Sequence, residues 1–135
     1  MKRFLPKSAK NPKGFTLVEL LVVVSIIAIL SVIGVTVFTG IQKGARDTKR
    51  KGDVEAMAKA LESNFTSTYP TTVAATYFTS GLVPTDPQAT RSYTTTLNAT
   101  GFVLCAQLEN STGNASNNTG TASAGGIYYC AKNAQ

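Results

Sequence analysis

The chain has 135 residues, 43% of them hydrophobic and 15% charged, with a formal net charge of +6, no histidine and no tryptophan. That length suits one small domain with one appended segment and leaves too little chain to wrap a long apolar run in a soluble core. Five of the thirteen basic residues, Lys2, Arg3, Lys7, Lys10 and Lys13, fall in the first fourteen positions, where there is no acid. Beyond them eight bases face seven acids. The basic balance therefore belongs to the leader, and it does not describe a nucleic-acid-binding patch on a folded domain.

The leader runs into "KGFTLVELLVVVSIIAIL", Lys13 to Leu30, in which Glu19 is the only charge after Lys13. No further charge occurs until Lys43, so Leu20 to Gln42 is an uncharged run of 23 residues. As a helix it spans about 35 Å, against roughly 30 Å of bilayer hydrocarbon. A cleaved secretory signal has a shorter apolar region followed by a small-residue site, and this run leads directly into more helix-like sequence. It reads as a membrane-spanning helix with the basic leader as its cytoplasmic flank. A charge inside such a helix costs about 2.5 to 3.5 kcal/mol at mid-depth, less near an end, and normally has a partner. Glu19 therefore calls for a partner.

From Lys43 the pattern becomes amphipathic. Val54, Met57, Ala58, Leu61 and Phe65 recur at helical spacing. The charges Arg46, Asp47, Lys49, Arg50, Lys51, Asp53, Glu55, Lys59 and Glu62 fill the other face, which reads as a solvated surface of mixed sign. Gly44 and Gly52 each weaken the helix by about 1 kcal/mol relative to Ala and leave room for a bend. Pro70 closes the helical pattern, for one helix of about fifty residues.

Thr71 to Gln135 holds only Asp86, Arg91, Glu109 and Lys132 as charges. "GLVPTDPQ" is turn chemistry. "RSYTTTL", "GFVLCAQL" and "GGIYYCA" read as strands, and in the second Phe102, Leu104, Ala106 and Leu108 alternate with Val103, Cys105 and Gln107 as in a sheet with one buried face. The polar stretch "ENSTGNASNNTGTASAGG" between the last two reads as an exposed, mobile loop. Cys105 and Cys130 allow a single internal bridge, which would close this loop if the domain is exported. In a cytosolic protein they would be two unrelated thiols.

A short basic leader ending in Gly14, then "FTLVE", then an unbroken apolar helix resembles the prepilin family, which includes type IV pilins and the pseudopilins of type II secretion and DNA-uptake systems. The resemblance is close from about Lys13 to Pro70 and holds only in outline for the sheet. It implies an α+β pilin fold: a long N-terminal helix, half transmembrane and half amphipathic, packed on a small antiparallel β-sheet. The implied domains are a cleaved leader at 1–14, a membrane and filament-core helix at 15–42, an amphipathic helix at 43–69, and a β-domain with a C-terminal disulfide loop at 70–135. Prepilin peptidase would cut between Gly14 and Phe15 and N-methylate Phe15, leaving 121 residues. The subunit would stay in the inner membrane, N-terminus inside until cleavage, until an assembly platform and its ATPase move it into a periplasmic or extracellular homopolymer. Glu19 would then pair with the new Phe15 amine, of its own chain or of a neighbouring subunit. One departure stands out: many members carry Pro at the twenty-second mature position, where this chain has Thr36, with Gly34 two residues earlier.

Other sites are weaker. The five N-x-S/T triplets, at Asn64, Asn98, Asn110, Asn114 and Asn117, are what a chain rich in Asn, Ser and Thr produces by chance. Asp86 and Glu109 alone do not make a Ca²⁺ site. With no histidine, no phosphate-binding loop and no paired acids, neither a catalytic centre nor a cofactor is expected. The competing reading is a signal-anchored protein with a small exported binding domain that never polymerises. Within the filament reading, a long pilus for adhesion, motility or DNA uptake competes with a short secretion pseudopilus.

Overall fold

The computed structural model describes residues 14–133. The basic leader, expected to be removed, lies outside the described residues except for Gly14. The chain divides into two compact units, one ending at Phe38 and the other starting at Thr39.

Helix α1 runs unbroken from Leu17 to Ser63. Gly34, Thr36, Gly44 and Gly52 all lie within it, so the loosening that these positions allow is not taken up here. In the first unit the helix is apolar on every side, and its Leu, Val, Ile and Phe side chains are all exposed. Its hydroxyls are turned inward: Ser25 donates to the Val22 carbonyl at 2.8 Å, Ser31 to Ile27 at 2.7 Å and Thr36 to Ile33 at 2.9 Å. Each of these hydroxyls is thereby satisfied by the helix itself, which a hydrocarbon environment demands. By length and composition this helix can cross a membrane.

In the second unit the apolar stripe of α1 is buried. Val54, Met57 and Leu61 form a core with Tyr69, Phe102, Leu104 and Ala106, and Ala58 and Phe65 pack against it. The helix ends at Ser63, ahead of Pro70, in a run of residues that favour turns. Asn64 donates its side-chain amide to the Ala60 carbonyl at 2.8 Å and so satisfies one of the last helical acceptors. Tyr69 is then held by rings on both sides, Phe65 with centroids 4.6 Å apart and Phe102 edge-on at 5.2 Å.

The sheet has five strands: β1 (Thr94–Asn98), β2 (Gly101–Gln107), β3 (Gly113–Ala115), β4 (Ala122–Gly126) and β5 (Tyr128–Lys132). Their spatial order is β1-β2-β5-β3-β4, and every paired neighbour is antiparallel. The alternation in β2 sends Phe102, Leu104 and Ala106 into the helix-facing core. Cys105 points the other way, directly opposite Cys130 of β5, and the two form a disulfide. With Ala115, Val103 and Tyr128 they make a second, smaller core on the far face.

The polar stretch from Glu109 to Gly126 is not the open loop that its composition suggests, because it contains β3 and β4. Its order comes from backbone approach and side-chain amides instead of apolar alternation. A Cβ at Gly113 would stand 1.9 Å from the Tyr128 carbonyl oxygen, and one at Gly126 1.9 Å from that of Ala115, so both glycines are required for the strands to meet. Asn114 behaves as a one-residue strand: its amide nitrogen donates to the Cys130 carbonyl at 2.9 Å and its oxygen accepts from the Cys130 N–H at 2.7 Å. Asn117 closes the turn, accepting from the N–H groups of Thr119 and Thr121.

The bridge closes a separation of 25 residues. A loop of that length is worth roughly 3 to 4 kcal/mol in the chain-entropy model. Mild reduction, or the Cys105→Ala/Cys130→Ala pair, is expected to lower domain stability by about that amount, read as the shift in a urea unfolding midpoint. A loss under about 1 kcal/mol would mean that the sheet and Asn114 hold the loop unaided.

Candidate processing and assembly site

Two constellations stand out, one in each unit. In the first, Gly14, Phe15 and Thr16 precede the helix, and Phe15 is 90% exposed. Thr16 and Glu19 lock the helix start in a reciprocal arrangement. The Thr16 N–H and hydroxyl donate to Glu19 Oε2 at 2.8 and 2.7 Å, and the Glu19 N–H donates to Thr16 Oγ1 at 3.2 Å. This is a capping box, which satisfies orphan donors at a helix N-terminus reciprocally. A carboxylate in the first turn also meets the positive end of the helix dipole.

Glu19 Oε1 has no hydrogen-bond partner among the described residues, so the carboxylate is half used internally and half free. The capping role was readable in "TLVE", which fits the S/T-x-x-E signature, but the sequence reading treated Glu19 only as a charge in need of a cation. The structure places Gly14, Phe15 and Glu19 within one exposed stretch. Cys105 and Cys130 belong to the other unit.

The second constellation is absent from the sequence reading. Asp47 and Arg50, expected on a solvated face, are buried. Arg50 is 0% exposed and donates to Asp86 at 2.7 and 3.0 Å, to Glu109 at 2.8 Å, to Asp47 at 2.9 Å and to Gln88 at 2.9 Å. Arg46 grips Glu109 with two bonds of 2.6 Å. Asp47 accepts from the backbone N–H groups of Glu109 and Asn110 at 2.8 and 2.9 Å. Nearby, Lys51 donates to the Thr112 carbonyl and Arg91 to that of Gln107. Asp47, Lys51 and Arg91 thus hold the backbone from Gln107 to Thr112, Arg46 and Arg50 hold the Glu109 side chain within it, and Arg50 also fixes the Asp86–Gln88 turn. Tyrosines complete the set: Tyr93 donates to Asp53 at 2.6 Å, Tyr69 to Glu62 at 3.0 Å and Tyr129 to Glu55 at 2.8 Å. Asp86 and Glu109, weighed from sequence as cation ligands, spend their carboxylates on Arg50 and Arg46. Among the described residues no group of three or more His, Cys, Asp or Glu could hold a metal ion.

The ion pairs shift the acids together. The Arg46 bonds hold the Glu109 carboxyl down at about 2, with Arg50 adding to the effect. For Asp47, burial pushes the pKa up, but the Glu109 and Asn110 N–H groups and Arg50 outweigh it and leave it lowered. Asp86 is likewise raised by burial and lowered further by Arg50. Acids depressed in the folded state contribute stability above their unfolded pKa near 4 and lose it as the pH falls through the folded values. Stability is therefore expected to be flat from pH 7 to about 5 and to fall steadily from about 4 toward 2. A thermal unfolding series over pH 2–7 checks this, and a midpoint unchanged down to pH 2 would contradict it.

The arrangement is α+β and pilin-like: one long N-terminal helix and a five-stranded open antiparallel sheet. Residues 9–35 match the prokaryotic N-terminal methylation motif, the signature of type IV pilins and pseudopilins. Comparison with curated proteins and with solved structures finds no match to the chain. The motif implies processing by prepilin peptidase and pilus-type assembly, and with the apolar helix it is consistent with membrane anchoring.

Proposed function

We propose that the chain is a prepilin that is cut between Gly14 and Phe15, methylated on the Phe15 amine and polymerised, through its N-terminal helices, into a type IV pilus or pilus-like filament. It is a structural subunit and not an enzyme. The observation that carries this reading is the methylation motif at residues 9–35, with its acid set in the first turn of a membrane-length helix. Anchored in the inner membrane, the processed subunit would be passed by an assembly platform and its ATPase into the filament. Glu19 would meet the Phe15 amine of a neighbouring subunit there. The free Oε1 supports this role, since the capping bonds leave that oxygen open to an incoming cation. In the low dielectric of a helix bundle each of these charges alone is costly and the pair is strongly attractive.

The test is the mature N-terminus, read by mass spectrometry on protein from its native membrane. Methylated Phe15 is expected. An intact Met1, or a start elsewhere, would replace this reading with that of a signal-anchored exported domain.

A further inference from the structure

The two edges of the sheet are unlike. β4 is blunted by its backbone: Gly125 sits at φ +70°, and the β3–β4 register slips between Gly113 and Ala115. β1 lacks the charge, proline or bulge that usually protects an edge. It pairs with β2 in unbroken register over five residues, and "TTTLN" contains no charge and no proline. Strand edges are normally guarded by charges, prolines or bulges because their unpaired N–H and C=O groups are a template for another strand. Here the open edge is also β-branched and so well suited to being a strand itself.

A second observation lies beside it. Thr95 and Leu97 stand opposite Leu104 and Phe102, and so face the helix side of the sheet. On that side a cleft of about 440 Å³ opens along the edge, lined by apolar side chains such as Met57, Val83 and Leu97 and by Thr71, Thr72 and Thr95, with no charged residue. An added strand suits this edge if it is extended, uncharged and offers both threonine and apolar side chains to the cleft. β1 of a second copy has that chemistry.

We propose that β1 is a self-pairing edge: β1 of a second copy adds to it antiparallel, about a twofold axis near Thr96, and each copy's Leu97 stands opposite the other's Thr95 at the mouth of its cleft. Such a contact is isologous and closes on itself, so it cannot propagate a filament. It joins two free subunits, or two filaments laid side by side, and it stands whether or not the filament reading holds.

The test is hydrogen exchange on the full chain in detergent micelles, at low and high protein concentration. The Thr94–Asn98 amides are expected to exchange about tenfold more slowly at high concentration, where the paired form dominates. Thr96→Lys, which sets two ammonium groups face to face, and Thr94→Lys are each expected to abolish the slowing. Both positions lie on the sheet face away from the helix, opposite Cys105 and Val103, so the helix-facing core is untouched, and unchanged protection at Leu104 confirms the fold. Ser123→Lys on the β4 edge is expected to leave the slowing intact. Exchange independent of concentration overturns the proposal. So does slowing that survives both β1 lysines, or that is lost equally in Ser123→Lys.

Discussion

Replacing Arg50 by Ala is expected to destabilise the folded unit by about 3 to 5 kcal/mol, the usual result of removing one partner from a buried ion pair. The effect is that large because the carboxylates remain. Asp86 keeps the Gln88 N–H at 2.8 Å but loses both guanidinium bonds while only 2% of its side chain is exposed. Glu109 still holds Arg46, and Asp47 still holds two backbone N–H groups. Asp86 is thus the residue left most exposed to desolvation without compensation, and Arg50→Ala/Asp86→Ala should be more stable than Arg50→Ala alone. Arg46→Ala, which removes a side chain already 27% exposed, is expected to cost about 1 kcal/mol. Urea unfolding of the full chain in micelles, followed through the tyrosine signal, measures all three. A loss near 1 kcal/mol for Arg50→Ala would show that water readily replaces its bonds and that the cluster is not a true anchor.

That cluster also shows where a sequence stops being legible. The stripe Val54, Met57 and Leu61 announces itself by period, and the strand alternation in β2 does the same, because burial of apolar groups follows local geometry. Nothing local distinguishes Arg50 from Lys49 and Lys51 in the run "KRKGD". Its burial depends on Asp86 and Glu109, 36 and 59 residues away, and long-range ion pairs leave no periodic trace. β3 and β4 were hidden for a similar reason. Their order rests on two glycines that admit close backbone approach and on the Asn114 and Asn117 amides, and these residue types ordinarily mark loops. The N-terminal methylation motif was the most legible part, since residues 9–35 carry it as one contiguous stretch. The Thr16 cap was missed there although its signature was complete.

The cap gives Glu19 two possible uses, and one substitution separates them. Glu19→Gln keeps a side-chain oxygen for the Thr16 N–H and hydroxyl, and glutamine serves in capping boxes as glutamate does. It removes only the charge. If capping were the whole role, Glu19→Gln would assemble normally and Glu19→Ala would lose at most the roughly 1 kcal/mol that a cap contributes. If the carboxylate meets a neighbour's Phe15 amine, Gln leaves that cation unpaired at low dielectric, where a lone charge costs several kcal/mol. Both variants are then expected to insert and to be cut after Gly14, yet to yield few or no filaments in sheared-fibre preparations. Thr16→Val supplies the opposite contrast: it removes the hydroxyl, leaves the carboxylate, and is expected to weaken assembly far less than Glu19→Gln. Wild-type filament yield from Glu19→Gln would remove the intermolecular pair and leave Glu19 as a helix cap.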